Sequence, residues 1–250
     1  MSLQEKVIII TGASSGIGEA AAQLFASNGA QVVLGSRRSE HLEKVANEIK
    51  IKGGKAVFLA GDVTDESYAK SLVELARDQF GHVDGAFNNA GITGEMSSIT
   101  EMTSENWDTV IKTNLTSAFY AAKFQIPAMI ESGGGSVVFT STFVGYTVGL
   151  PGMAAYAASK AGLIGMTQVL AAEHGSQGIR VNALLPGGTK TDMAGDDPQT
   201  LKWISELHAL KRMAEPEEIA QSALFLISEQ SSFVTGSALI ADGGNSINKT

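Results

Sequence analysis

Seven short apolar runs, each too brief for a helix, are separated by longer amphipathic stretches along almost the whole chain. The runs are Val7–Thr11, Gln31–Gly35, Ala56–Ala60, Val83–Asn88, Ser136–Thr140, Ile179–Leu185 and Ser237–Ala241. They are rich in Leu or β-branched residues and bounded by Gly, Asp or Asn, which makes them strands. Between them, helical patterns run over Ile17–Asn28, Ser39–Lys52, Asp65–Phe80, Ser104–Ile130, Tyr156–His174 and Pro216–Ser228. A strand apolar on both faces needs cover on both, and intervening helices supply it. Right-handed crossovers then give an α/β, doubly wound Rossmann-type fold, a mostly parallel seven-stranded sheet with helices on both faces. No linker, repeat or low-complexity tract divides residues 1–250, so one domain is expected. An extra helical segment breaks the rhythm at about 191–211, where Asp197-Pro198 reads as an N-cap followed by proline in the first turn. Such an insertion reads as a substrate lid.

Composition removes several function classes. Lys and Arg number 18 against 26 Asp and Glu, a net charge of −8 with no basic run, which argues against a nucleic-acid partner. The absence of cysteine excludes a disulfide framework, a thiolate zinc site, an iron–sulfur cluster and a cysteine nucleophile. No stretch supplies the roughly 18 apolar residues of a membrane span. The opening Met1–Ile10 has too short an apolar run for a signal peptide, so a cytoplasmic protein is expected. His41, His82, His174 and His208 are scattered and suggest no metal, and Gly-x-Ser-x-Gly is absent.

Directly after the first strand comes Thr11-Gly12-Ala13-Ser14-Ser15-Gly16-Ile17-Gly18, opening the first helix. Glycines there allow a tight turn, a close approach to pyrophosphate and helix-on-strand packing, while the helix N-terminus offers N–H groups to the anion. Nucleotide binding follows from that context. The Gly-x-x-x-Gly-x-Gly spacing resembles the short-chain dehydrogenases/reductases, and the resemblance extends from Thr11 to Gly244.

A site for NAD places an acidic residue about 20 residues past the glycines. Here Gly35-Ser36-Arg37-Arg38 stands instead, and arginine suits a 2′-phosphate. NADP is therefore preferred, with NAD the alternative. The resemblance further implies that Asp62-Val63 meets the adenine and that the backbone of Asn88-Asn89-Ala90-Gly91 runs under the ribose. It also implies that Pro186-Gly187-Gly188-Thr189-Lys190-Thr191 holds the nicotinamide carboxamide.

Tyr156 and Lys160 stand one helical turn apart in Tyr156-Ala157-Ala158-Ser159-Lys160, so both face one point. A phenol titrates near 10, and a neighbouring ammonium should bring it down toward neutrality. Tyr156 is then the proton donor or acceptor for a carbonyl or alcohol, while Lys160 lowers its pKa and bonds the nicotinamide ribose. The family's catalytic serine falls 13 residues before the tyrosine, where this chain has Phe143. Keeping Gly145 in register puts Thr142 in its place, and Ser141 remains the neighbouring candidate. Asn114 matches the asparagine that kinks the family's central helix and holds a relay water. Asp242-Gly243-Gly244 and Pro216-Glu217-Glu218-Ile219 resemble the family's C-terminal signature and read as architectural.

The pocket walls, Gly94–Met96, Val144–Met153 and Met193–Leu207, are apolar overall and carry no clustered charge. The function expected is NAD(P)-dependent hydride transfer on a small secondary alcohol or ketone. A non-catalytic nucleotide sensor and a short-chain epimerase or dehydratase are the alternatives. The resemblance implies a homotetramer packed through the helices around 104–130 and 156–174.

Overall fold

The computed structural model describes residues 2–248. Strands β1 (Val7–Thr11), β2 (Gln31–Ser36), β3 (Lys55–Ala60), β4 (Gly85–Asn88), β5 (Gly135–Thr140), β6 (Ile179–Pro186) and β7 (Ala238–Ala241) form one sheet in the order β3-β2-β1-β4-β5-β6-β7. Every pairing is parallel, so the sheet is wholly rather than mostly parallel. The helices are α1 (Gly16–Ser27), α2 (Ser39–Ile51), α3 (Glu66–Phe80), α4 (Ser104–Ile111), α5 (Ser117–Glu131), α6 (Ala154–His174), α7 (Pro198–Leu207) and α8 (Pro216–Ile227).

Alternation along β1 shows how both faces are covered. Ile8 and Ile10 point to a core shared with Phe25 of α1, Leu42 of α2 and Leu224 of α8. Val7 and Ile9 point to the opposite core, with Leu72 of α3, Ile126 of α5 and Leu163 of α6. Each such isoleucine or leucine is worth about 1.5–3 kcal/mol by burial, which outweighs any local preference of these short strands. Because all seven strands are parallel, Thr11, Asn88, Thr140 and Pro186 end on one edge of the sheet. The strand order reverses beside β1, and that carboxyl edge is where such sheets open a crevice.

The helix expected over Ser104–Ile130 is interrupted. Residues Lys112–Thr116 form a π-helical turn between α4 and α5, with Asn114 buried at its centre. A π-turn inserts one extra residue and re-aims the side chains around it. The inserted segment contains α7, capped by Asp197, whose side chain accepts the Thr200 N–H at 2.8 Å.

Candidate active site

One cavity of about 870 Å³ runs along the carboxyl edge, within the size range of small-molecule sites. The loop from β1 to α1 forms one end. Gly12 and Gly16 have φ of +68° and +56°, and a Cβ on Gly16 would lie 2.8 Å from Thr191 Cγ2. Gly18 does not line the cavity: its Cβ would fall 2.1 Å from the Gly12 carbonyl, so its lack of a side chain lets α1 approach the loop. Gly12, Ser14, Ser15, Gly16 and Ile17 all line the cavity.

Arg38 leans onto this loop. Its Nε and Nη2 donate to Ser14 Oγ at 3.2 and 3.0 Å, and Nη2 donates to Ser15 Oγ at 2.5 Å. Asp192, on the segment after β6, lies 3.7 Å from Nη1. Arg37 lines the same end beside Asp62, whose carboxyl is held below its usual range first by the Thr64 N–H and further by the charges of Arg37 and Lys112. Val63, Asn89, Ala90 and Gly91 continue the wall. Thr11 Oγ1 accepts the N–H groups of Asn89 and Ala90 at 3.2 and 3.3 Å, which fixes the exit of β4. These features, a turn that side chains would fill and a guanidinium at the end of β2, fit a dinucleotide.

At the other end β5 delivers Ser141 and Thr142, and α6 delivers Tyr156 and Lys160. Adjacent residues point apart, and here they do different work. Ser141 Oγ donates its proton to the Lys160 carbonyl at 2.8 Å, a buried tie between β5 and α6. Thr142 bonds the Tyr156 hydroxyl. The geometry therefore separates the two candidates left open by the sequence, bringing Thr142 rather than Ser141 to the tyrosine.

The electrostatics differ from expectation in one respect. Burial pushes the Tyr156 phenol above its ordinary value, and the bond with Thr142 opposes the rise without reversing it. Lys160 Nζ sits 5.9 Å from the phenol ring centroid and donates to the Thr140 carbonyl at 2.6 Å. Burial brings Lys160 itself down to about 8. The motif's spacing is met, but removal from water outweighs an ammonium that is already engaged.

Asn114 lies behind this pair, not on the main cavity. Its Oδ1 accepts the Ile92 N–H at 2.8 Å, and its Nδ2 donates to the Ile92 carbonyl at 2.8 Å and to Ser159 Oγ at 3.0 Å. The side chain thus clamps the segment after β4 to α6. A void of about 20 Å³, the size of one water, lies between Asn114, Thr11, Asn88, Gln125, Thr140 and Lys160 and the apolar side chains of Val63, Leu72 and Leu163.

Pro186, Gly187, Thr189 and Thr191 line the cavity between its two ends. This turn is held from outside by a residue the sequence did not single out. His208, at the end of α7 and 2 % exposed, accepts the Gly188 N–H at Nε2 and meets the Ile204 carbonyl through Nδ1 at 2.7 Å. A second such residue is Asn245, which lines the substrate end from the turn after β7. Neither carries a motif; each became visible only through contacts distant in sequence.

Residues 12–246 match the family described as enoyl-(acyl carrier protein) reductase. Cyclohexanol dehydrogenase of Acinetobacter sp. (strain SE19) is 40% identical over 238 residues, covering 95% of this chain and 94% of that protein. The 3-oxoacyl-[acyl-carrier-protein] reductase of Thermotoga maritima is 42% identical over 245 residues, covering 98% and 99%. Among solved structures, a short-chain type dehydrogenase/reductase from Mycobacterium marinum superposes with a TM-score of 0.94 at 33% identity, covering 99% of this chain and 98% of that one.

Proposed function

The chain belongs to the short-chain dehydrogenase/reductase family, and from that premise we propose an oxidoreductase that interconverts a secondary alcohol and a ketone, preferring NADP(H) over NAD(H). The observation that carries this reading is the single cavity joining the glycine turn and Arg38 at one end to Thr142 and Tyr156 at the other. The bound nucleotide supplies or accepts the hydride. Thr142 and Tyr156 hold the substrate oxygen between two hydroxyls, and in the reducing direction Tyr156 gives its proton to that oxygen as the carbon is reduced. A phenol kept protonated by burial suits the donor's part. Lys160 and Asn114 stand behind it, beside a void sized for one water that links them.

NADP preference is supported by Arg37 and Arg38 at the end of β2, where a carboxylate would bond a bare ribose. Ser14 and Ser15 draw the Arg38 guanidinium toward the glycine turn, so less side-chain freedom is lost when a phosphate binds. The segment around 191–211, with α7, serves as the substrate lid of one domain spanning 1–250. Exposed Trp107, Phe119 and Val169 on α4, α5 and α6 support a homotetramer. No described helix is long and apolar enough to cross a membrane, and we place the protein's work in the cytoplasm. Thr142, Tyr156 and Lys160 at one cavity weigh against a non-catalytic sensor.

Equilibrium titration with NADPH and NADH, followed by protein fluorescence, tests the reading without a substrate. NADPH is expected to bind about tenfold or more tightly, and the preference to vanish in Arg38→Ala. Equal or tighter NADH binding overturns the preference, and failure to bind either nucleotide overturns the oxidoreductase reading.

A further inference from the structure

The guanidinium of Arg38 bridges two walls at the nucleotide end of the cavity. On one wall, Nε and Nη2 donate to the hydroxyls of Ser14 and Ser15, neutral acceptors in the glycine turn. On the other, Nη1 lies 3.7 Å from Asp192 Oδ2, and among the described residues no other carboxylate pairs with Arg38. The neighbouring cation Arg37 acts instead on Asp62, together with Lys112.

Asp192 comes from the segment after β6, where Asp192–Ala194 make a single 3₁₀ turn. Its side chain is 80 % exposed, and among the described residues Arg38 is the only ion-pair partner of its carboxylate. The residue before it is packed down: a Cβ on Gly16 would come within 2.8 Å of Thr191 Cγ2. Thr191 and Asp192 therefore bring this segment onto the glycine turn at two points, one apolar and one charged. Both residues line the cavity.

A carboxylate in this place meets the two nucleotides differently. A ribose phosphate carries close to two negative charges at neutral pH and seeks the guanidinium for itself. It must displace Asp192 or sit beside it, like charge against like charge. A bare ribose offers hydroxyls, which a carboxylate accepts, and it leaves the ion pair standing. An exposed pair of this length is worth about fivefold in an equilibrium constant at most, so Asp192 trims a preference and does not create one. We propose that Asp192 is a specificity-determining residue that competes with the ribose phosphate for Arg38 and so narrows the selectivity of the site between NADPH and NADH. That a nucleotide fills this end belongs to the oxidoreductase reading; that Asp192 stands in a phosphate's way follows from its place at Arg38. From the opposite wall, it does what an acidic residue at the end of the second strand does in a site for NAD.

The test is a set of equilibrium titrations with NADPH and NADH, read by protein fluorescence, on the natural protein, Asp192→Asn, Arg38→Ala and the double variant. The readout is the ratio of the two dissociation constants, in which losses common to both nucleotides cancel. Asp192→Asn keeps the size of an exposed side chain and is expected to move the ratio about threefold to fivefold toward NADPH. In the Arg38→Ala background the same substitution should move it by less than about 1.5-fold, because a carboxylate with no cation to hold it turns into water. Asp196→Asn removes the same charge from the same segment without an ion pair to Arg38, and should leave the ratio where it was. A ratio unmoved by Asp192→Asn, a move that persists without Arg38, or an equal move in Asp196→Asn overturns the proposal.

The same titrations separate this competition from the cofactor preference it acts on. NADH bound as tightly as NADPH by the natural protein, with the Arg38-dependent move intact in Asp192→Asn, would sustain the competition and remove the NADP preference. An NADPH preference that ignores Asp192 would do the reverse. Binding of neither nucleotide would remove both.

Discussion

His208 Nε2 accepts the backbone N–H of Gly188 at 2.9 Å, tying the first residue beyond α7 to the turn that follows β6. The ring's other nitrogen is held by the Ile204 carbonyl at 2.7 Å, which makes Nδ1 the protonated one and leaves Nε2 free to accept. A side chain on Gly188 would lie 2.4 Å from Ile204 Cγ2, so helix and turn are in van der Waals contact as well. Replacing His208 by Leu keeps bulk but strands a buried N–H. The expected cost is about 1–3 kcal/mol, read as a lower urea midpoint at unchanged slope. An unaltered midpoint would show that this bond contributes nothing to stability.

Ser141 and Thr142 should part company on mutation. Thr142→Ala removes the hydroxyl that bonds Tyr156 and is expected to lower kcat about a hundredfold, with Thr142→Ser restoring most of it. Ser141→Ala breaks the tie to the Lys160 carbonyl, and its cost should appear chiefly in stability, at about 1 kcal/mol. Steady-state kinetics and urea melts on both variants decide the matter; a kinetic collapse confined to Ser141→Ala would reverse the assignment.

Tyr156→Phe is expected to bind the nucleotide with an affinity close to that of the natural protein and to lose about 10²–10⁴-fold in kcat, the usual worth of a positioned acid or base. Titration by fluorescence and turnover with a ring ketone supply the two numbers. Retained turnover would remove Tyr156 from the chemistry.

Lys160 makes stability depend on pH in a definite direction. Its pKa falls from 10.5 to about 8 on burial, so between those values the unfolded chain binds more protons than the folded one. Stability from this group therefore rises with pH across that window, and the penalty for burying the charged form is fully present below it. The difference in unfolding free energy between the natural protein and Lys160→Met, measured from pH 7 to about 10.5, should shift toward the natural protein as pH rises. A flat difference would mean that the ammonium is not desolvated.

Gly18→Ala should destabilise although Gly18 does not itself line the cavity. The new Cβ would fall 2.1 Å from the Gly12 carbonyl, so α1 must withdraw from the loop, at about 1–3 kcal/mol. Nucleotide binding should weaken with it, since the turn from Gly12 to Gly16 that lines the cavity is displaced. A thermal melt and a nucleotide titration check both parts.

The strands were readable because burial on two faces imposes unbroken apolar runs, and β1 through β7 lie within about two residues of the runs seen in the sequence. The placement of the glycine turn, Tyr156 and Lys160 along one cavity was readable from their spacing and from the strands and helices around them. The rest depends on contacts that spacing does not encode. His208 and Gly188 are 20 residues apart and meet only because α7 folds back on the sheet edge. Asn245 sits in a stretch that reads as architecture, and its unpaired donor exists only in relation to α7 and the loop after β5. The direction of the Tyr156 shift is decided by how much water surrounds the phenol, which no motif states. The break at Lys112–Thr116 was signalled only by the resemblance, through Asn114, because one added residue leaves apolar periodicity on either side intact.

That added residue sets local regularity against function. An unbroken helix over Ser104–Glu131 would satisfy the i to i−4 ladder better, yet every side chain beyond the break would turn by about 100° about the axis relative to those before it. Ile126 and Met129 would swing off the sheet, or Val110 would, and the Asn114 amide would lose Ile92. Shortening the segment by a single residue therefore repairs the helix and dismantles the wall beside Lys160. The backbone is most irregular where two halves of one rod must each face a different neighbour, and the phase slip between them is what lets a single stretch of chain line a core and brace a reaction centre at once.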